Sequence, residues 1–124
     1  NKMEILPMSQ MPYYVDIGVN LNDDMFKGIY HGKKIHDEDL EGVIERASSF
    51  NVKYMINLNG NLSESINNIL LLQKYSNIFH TVGVHPTRCM ELEVDGGFDY
   101  IEKLIDLIKC HQPQIIAIGE IGLG

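Results

Sequence analysis

The sequence is short of cysteine, of basic residues and of long apolar runs, and each shortage closes off a class of protein. Cys89 and Cys110 are the 2 cysteines in 124 residues, too few for a disulfide framework. They read as reduced thiols, which places the protein inside the cell, in the cytoplasm or nucleus. Lysine and arginine number 10 against 17 aspartates and glutamates, a formal net charge of −7. That balance argues against tight, nonspecific wrapping of nucleic acid, which rests on neutralising phosphates. It leaves open an enzyme that meets nucleic acid through divalent cations in an acidic pocket. No apolar run approaches the roughly 20 residues of a membrane span, so no membrane partner is expected. The opening Asn1-Lys2-Met3-Glu4-Ile5-Leu6-Pro7 has neither a Met at position 1 nor the apolar core of a signal peptide. No internal repeat is visible beyond the repetition of strand and helix.

What is present is ordinary for a globular domain: 44% hydrophobic and 22% charged residues, in a chain long enough for one core. Residues 1–12 carry methionines, prolines and no period, and are expected to form a leader or arm. Tyr13 to Val19 is aromatic and β-branched, the composition of a strand, with Asp16 inside it. An aspartate in a buried strand is costly unless paired or ligating, so Asp16 either bonds the backbone or serves a ligand. From Asn20 to Ile35 no period is visible, and the length suggests a functional loop. Lys27, His31, Lys33 and Lys34 make a basic patch there, which reads as a phosphate contact or, more commonly, as a solvated loop face.

A helix is predicted from about Asp37 to Phe50, with Leu40, Val43, Ile44, Ala47 and Phe50 at helical spacing and Asp37 as its cap. A strand follows at Lys53 to Leu58, then the turn cluster Asn57-Leu58-Asn59-Gly60. Asn61 stands three residues before Glu64, an asparagine version of the capping box, and opens a helix from about Leu62 to Tyr75. The next strand is Ile78 to Val84, stopping at His85-Pro86. Ile101, Leu104, Ile105 and Ile108 form one stripe of a helix from Phe98 to Cys110. The last strand begins at Gln114. It is apolar and β-branched enough to be buried on both faces, and is expected to end at Gly119 with Glu120 directly after it.

The pattern is β-α-β-α-β-α-β, an α/β chain of the parallel kind. Asn20, Asn59, His85 and Glu120 each follow one of the four strands. In a (β/α) barrel those strand ends ring one mouth, where sites are built. Glu120 is then a carboxylate aimed at a site. His85, held extended by the following proline, could ligate a metal, orient a phosphate or move a proton near neutral pH.

Three stretches resemble the TatD family of metal-dependent deoxyribonucleases. They are Asp16-Ile17-Gly18-Val19-Asn20-Leu21, Val82-Gly83-Val84-His85-Pro86 and Ala117-Ile118-Gly119-Glu120-Ile121-Gly122-Leu123. Asp24 to Tyr30 and Thr87-Arg88-Cys89 are similar to the eukaryotic branch. The likeness runs from about residue 15 to 124. It implies a TIM-barrel hydrolase that cuts DNA with a divalent metal, magnesium being the expected ion, which polarises the phosphodiester and activates water. By resemblance Glu120 is a metal-ligating, bridging carboxylate, His85 positions phosphate or substrate, and Asp16 and Asn20 match the first-strand motif. Asp16 is thereby a candidate metal ligand and Asn20 a candidate catalytic residue.

The sequence departs from the pattern in two places. Gly18 and Asn20 stand where many relatives have metal-binding histidines, and Gly124 stands where an aspartate is usual. The family's other metal-binding residues, two His and an Asp, lie on later strands without counterpart here. A TIM barrel needs roughly 250 residues and eight units. Residues 13–124 are therefore expected to supply the N-terminal half of the barrel, about its first four βα units, and to be inactive alone. The missing C-terminal half, or another chain, is expected to cover the open sheet edge. Two rival readings are an amidohydrolase-like metal hydrolase acting on a small molecule, since fold does not settle substrate, and a non-catalytic α/β module that binds partners by its edge.

Overall fold

A computed structural model of the chain describes residues 5–94 and 96–124. In chain order the elements are β1 (Tyr14–Val19), the two-residue strands β2 (Ile29–Tyr30) and β3 (Lys33–Lys34), and α1 (Leu40–Ser49). Then come β4 (Val52–Asn57), α2 (Leu62–Leu72), β5 (Ile78–Val84), the short α3 (Glu91–Val94), α4 (Phe98–Cys110) and β6 (Ile115–Ile121). Four strands make one sheet in the order β1-β4-β5-β6, and every pair in it is parallel. Each parallel step needs a crossover, and α1, α2 and α4 supply them. This is the alternating α/β architecture the sequence pattern predicts.

The core forms where the helices' apolar stripes meet the sheet. Leu40 and Ile44 of α1 pack with Met55 of β4, Leu72 of α2, Ile78 of β5 and Leu21. Further along, Ile69 of α2, Val82 of β5 and Ile115 of β6 form a second cluster, joined by Leu104, Leu107 and Ile108 of α4. Spacings of three and four residues on each helix bring these side chains to one face. Burying each such side chain stabilises the fold by about 1.5–3 kcal/mol. Asn61 caps α2 as its position before Glu64 predicts, its side chain accepting from the Glu64 N–H at 2.8 Å.

Several boundaries differ from those the sequence predicts. Helix α1 starts at Leu40, not Asp37, with Asp39 at the cap position. The Asp39 carboxylate pairs with Arg46 at 3.4 Å instead of bonding the helix N-terminus. Helix α2 stops at Leu72, short of Tyr75. The loop after Asn20 is not irregular: a 3-10 turn at Asp24–Lys27 leads into an antiparallel pairing of β2 with β3. Two of its basic residues, Lys27 and Lys34, face Asp24 and Asp37 at 3.2 and 3.4 Å, so that much of the basic patch is already paired. The expected arm at residues 1–12 is described from residue 5 on, where it carries a 3-10 turn at Met8–Gln10; residues 1–4 lie outside the described residues.

Two expectations about burial are corrected. The last strand does not end at Gly119 but runs to Ile121. It is not buried on both faces either, since Ile116 and Ile118 are exposed and Ile118 keeps 69% of its surface open. Strand β1 is likewise open, so Asp16 lies in an exposed strand, not a buried one. The reason is the strand order: β1 and β6 are the two edges, each paired on one side only. Their apolar side chains, Ile17 and Ile118 among them, are left open to solvent.

Candidate functional site

At the carboxyl ends of the parallel strands lies a cavity of ≈ 260 Å³ whose lining includes Asn20, His85 and Glu120. Asn20 follows β1, His85 follows β5, and Glu120 is the next-to-last residue of β6. Three polar residues from three strands thus share one space. Glu64, Thr87 and Arg88 line it as well.

Two glycines fix the strand ends against each other. A Cβ on Gly83 of β5 would collide with the backbone carbonyl of Glu120 on β6. A Cβ on Gly122 would collide with the ring of Pro86. Only residues without side chains permit these approaches. Each glycine belongs to one of the two motifs and meets the other, so the His-Pro and Gly-Glu segments are locked together by backbone packing.

His85 is oriented by its own turn. Its backbone is extended (φ −59°, ψ 145°), as a residue before proline prefers, and it caps the 3-10 helix Pro86–Arg88. Its backbone N–H donates to the Gly60 carbonyl at 2.8 Å, tying it to the loop after β4. The Thr87 backbone N–H donates to His85 Nδ1 at 3.2 Å, and the Thr87 hydroxyl lies 2.8 Å from the same nitrogen. A backbone N–H can only donate, so Nδ1 is the accepting nitrogen and the neutral ring carries its proton on Nε2. That Nε2 faces the Glu120 carboxylate at 3.8 Å. The distance is too long for a hydrogen bond, so the Nε2–H remains free to donate to a group entering the cavity.

Buried asparagines hold the other strand ends. Asn57 and Asn59 are fully buried. Asn57 Oδ1 accepts from the Leu21 N–H at 2.8 Å, which anchors the chain directly after Asn20. Asn59 Oδ1 accepts from Asn57 and Asn68 at 3.2 and 2.6 Å, and Asn59 Nδ2 donates to the Thr81 carbonyl at 2.9 Å. Such amides are costly to bury unless bonded, and bonded they specify one arrangement of the strand ends.

A third network flanks the cavity. Glu91 accepts from Asn61 at 3.1 Å and from Tyr100 at 3.1 Å, and Arg88 lies 3.5 Å from it. Burial pushes the Glu91 carboxyl up, but these hydrogen bonds outweigh it and hold the group below its ordinary value.

Asp16 is placed apart from this group. It is not among the residues lining the cavity, and its Oδ1 accepts from the Gly18 N–H at 3.1 Å. Among the described residues, no three His, Cys, Asp or Glu side chains are grouped so that they could hold a metal ion. Glu120 offers the hard oxygen donor that magnesium takes, but one carboxylate is not a cage. These residues alone do not make up a metal site. The sequence reading gave no site role to Arg88 or Glu64. The signal for Arg88 is its place in the turn that Pro86 starts, three residues past His85; Glu64 was visible only as a cap partner.

Residues 15–124 match the family described as TatD related DNase. The chain is 35% identical over 114 residues to "Deoxyribonuclease Tat-D" of Schizosaccharomyces pombe, covering 89% of this chain and 36% of that protein. It is 36% identical over 108 residues to "3'-5' ssDNA/RNA exonuclease TatD" of Citrobacter rodentium, covering 87% of this chain and 35% of that one. Its fold matches the crystal structure of an uncharacterized amidohydrolase from Saccharomyces cerevisiae with a TM-score of 0.79 and 32% identity, over 90% of this chain and 37% of the other. The chain therefore spans a little over a third of these relatives. The fold class is the α/β TIM barrel, of which this chain supplies about four βα units.

Proposed function

The chain belongs to the TatD related DNase family, and from that footing we propose that its protein is a metal-dependent deoxyribonuclease hydrolysing DNA phosphodiester bonds. The observation that carries this reading is the meeting of Asn20, His85 and Glu120, from three strand ends, in one cavity. Glu120 is assigned as a ligand of a divalent cation, with magnesium the expected ion. Its partners in that role come from outside these 124 residues, from further units of the barrel or another chain, which also cover the exposed edges of β1 and β6. Asp16 is retained as a second candidate ligand. The 124 residues alone are then inactive.

The residues of this chain have definable tasks around a bound phosphodiester. His85 donates its Nε2–H to a phosphoryl oxygen, with Nδ1 held by Thr87 so that the ring cannot flip its donor away. Asn20, anchored through Leu21 and Asn57, orients the same strand of substrate with its amide. Both free thiols, Cys89 and Cys110, are compatible with action in the cytoplasm or nucleus.

The test is cleavage of single- and double-stranded DNA by the full-length protein, with and without magnesium, beside small phosphoesters and lactones. Metal-dependent DNA cleavage that Glu120→Gln abolishes is the expected result. Metal-independent cleavage, or turnover of a small ester in place of DNA, would overturn the reading, the latter in favour of an amidohydrolase.

A further inference from the structure

We propose that Arg88 is the phosphate-gripping residue of this cavity and that Glu91 holds it ready; the proposal rests on the nuclease reading above. The cavity lining contains two carboxylates, Glu64 and Glu120. In a chain of net charge −7, a polyanion approaching them is repelled. Arg88 is the one lysine or arginine among the described residues that line the cavity. It is therefore the one permanent cation available there to an incoming phosphate.

Its geometry suits that task. Arg88 is the last residue of the 3-10 helix Pro86–Arg88, whose first residue follows His85. The turn is fixed at both ends: the Arg88 N–H donates to the His85 carbonyl at 2.7 Å, and Pro86 packs on Gly122. The guanidinium and the His85 imidazole thus reach the cavity from one rigid turn. Two donors so placed suit adjacent oxygens of one phosphodiester.

The guanidinium is held loosely. Nη1 lies 3.5 Å from Glu91 Oε1, the outer limit of a hydrogen bond, and the Arg88 side chain is half exposed. Glu91 itself is not loose, because Asn61 and Tyr100 both donate to it and the Leu62 N–H donates to the Tyr100 hydroxyl at 2.9 Å. A fixed carboxylate with a weakly held arginine makes a rest position. It limits the arginine's rotamers before binding, yet leaves most of its five donors for a phosphate. Glu91 is a positioning residue here, and Arg88 touches substrate.

The experiment uses the full-length protein and a labelled single-stranded oligonucleotide, with affinity measured across a salt series and KM and kcat measured separately. Arg88→Ala is expected to raise KM about tenfold and change kcat less than about threefold. The slope of log affinity against log salt should fall by about one. Arg88→Lys should restore the slope, because it restores the charge, but only part of the affinity, because it lacks the fork. Glu91→Gln should raise KM and leave the salt slope unchanged. Wild-type KM and salt slope in Arg88→Ala would overturn the proposal while leaving the nuclease reading intact. A wild-type protein that neither binds nor cleaves DNA would overturn both. Binding without cleavage would overturn the nuclease reading alone, and the salt slope would still decide the role of Arg88.

Discussion

Gly83 and Glu120 stand back to back on adjacent strands, so close that a methyl group on the first would enter the carbonyl of the second. The position of the Glu120 carboxylate is therefore set by the absence of a side chain on another strand. Gly83→Ala must push β5 and β6 apart at this point, and overpacking of that kind costs about 1–3 kcal/mol. Because it moves the strand end that carries Glu120, DNA cleavage by the full-length protein should fall by about 100-fold, the scale of a 1 Å misplacement. Gly42→Ala is the matched control. Gly42 sits inside α1, where an added Cβ meets only the end of the flexible Arg46 side chain at 3.1 Å. There alanine should stabilise by about 0.5–1 kcal/mol and leave cleavage unchanged. Chemical denaturation and turnover measured on both variants would show the contrast. Equal effects would mean that Gly83 does not set the position of Glu120.

Elements with a strong period were legible in the sequence, and elements decided by distant contacts were not. The α4 helix has both of its expected ends, Phe98 and Cys110, because its apolar stripe is unbroken. The cap of α2 was visible as Asn61 before Glu64, a purely local signal. The start of α1 was missed because two acidic residues compete for the cap, and Asp39 is drawn to Arg46 seven residues on. The pairing of β2 with β3 was missed because two-residue strands carry no period to detect. At the site, strand-end placement pointed to Asn20, Asn59, His85 and Glu120; three of these line the cavity, while Asn59 is fully buried in the amide network beneath it. Arg88 and Glu91 could not be found that way. Their relation to Asn61 and Tyr100 spans up to 30 residues of chain and exists only in the fold.

His80 gives the fold a dependence on acid that does not involve the cavity. The ring is 1% exposed and its Nδ1 has no hydrogen-bond partner. Burial, and secondarily the charge of His111, lower its pKa to about 4 from an ordinary 6.5. Well above pH 6.5 the ring is neutral in both folded and unfolded chains, and stability does not depend on its charge. As pH falls toward 4 the unfolded chain takes up the proton first, so stability is lost through that window and levels off below it. The full loss is on the order of 3 to 4 kcal/mol, from about 1.4 kcal/mol for each pH unit by which the proton affinity falls. Urea denaturation at intervals from pH 7.5 to 4 should show the decline, and His80→Leu should remove most of it. An unchanged slope in His80→Leu would assign the acid sensitivity to other groups.

The exposed apolar side chains of the edge strands make a last prediction, about the 124-residue polypeptide by itself. Ile17 of β1 and Ile118 of β6 are 73% and 69% exposed, and each sits on a strand with one unpaired edge. Ile118 and Ile121 also line an apolar groove of ≈ 300 Å³ with Val84, Leu104 and Ile105, between β6 and α4. An unpaired parallel edge beside exposed isoleucines templates association with other chains. The isolated polypeptide should therefore exceed its monomer mass of 14.1 kDa in light scattering at micromolar concentration. A lysine on an edge strand opposes such pairing by charge and hydration. Ile17→Lys with Ile118→Lys should thus shift the population toward monomer with about 1 kcal/mol lost, because both side chains are already mostly exposed. In the full-length protein the same pair should be severely destabilising if, as proposed, the rest of a barrel covers these strands, since two charges would then be buried without partners. Opposite effects of one double substitution in the two contexts would locate the covering surface on β1 and β6. Mild effects in both would mean that those edges stay open to solvent in the whole protein.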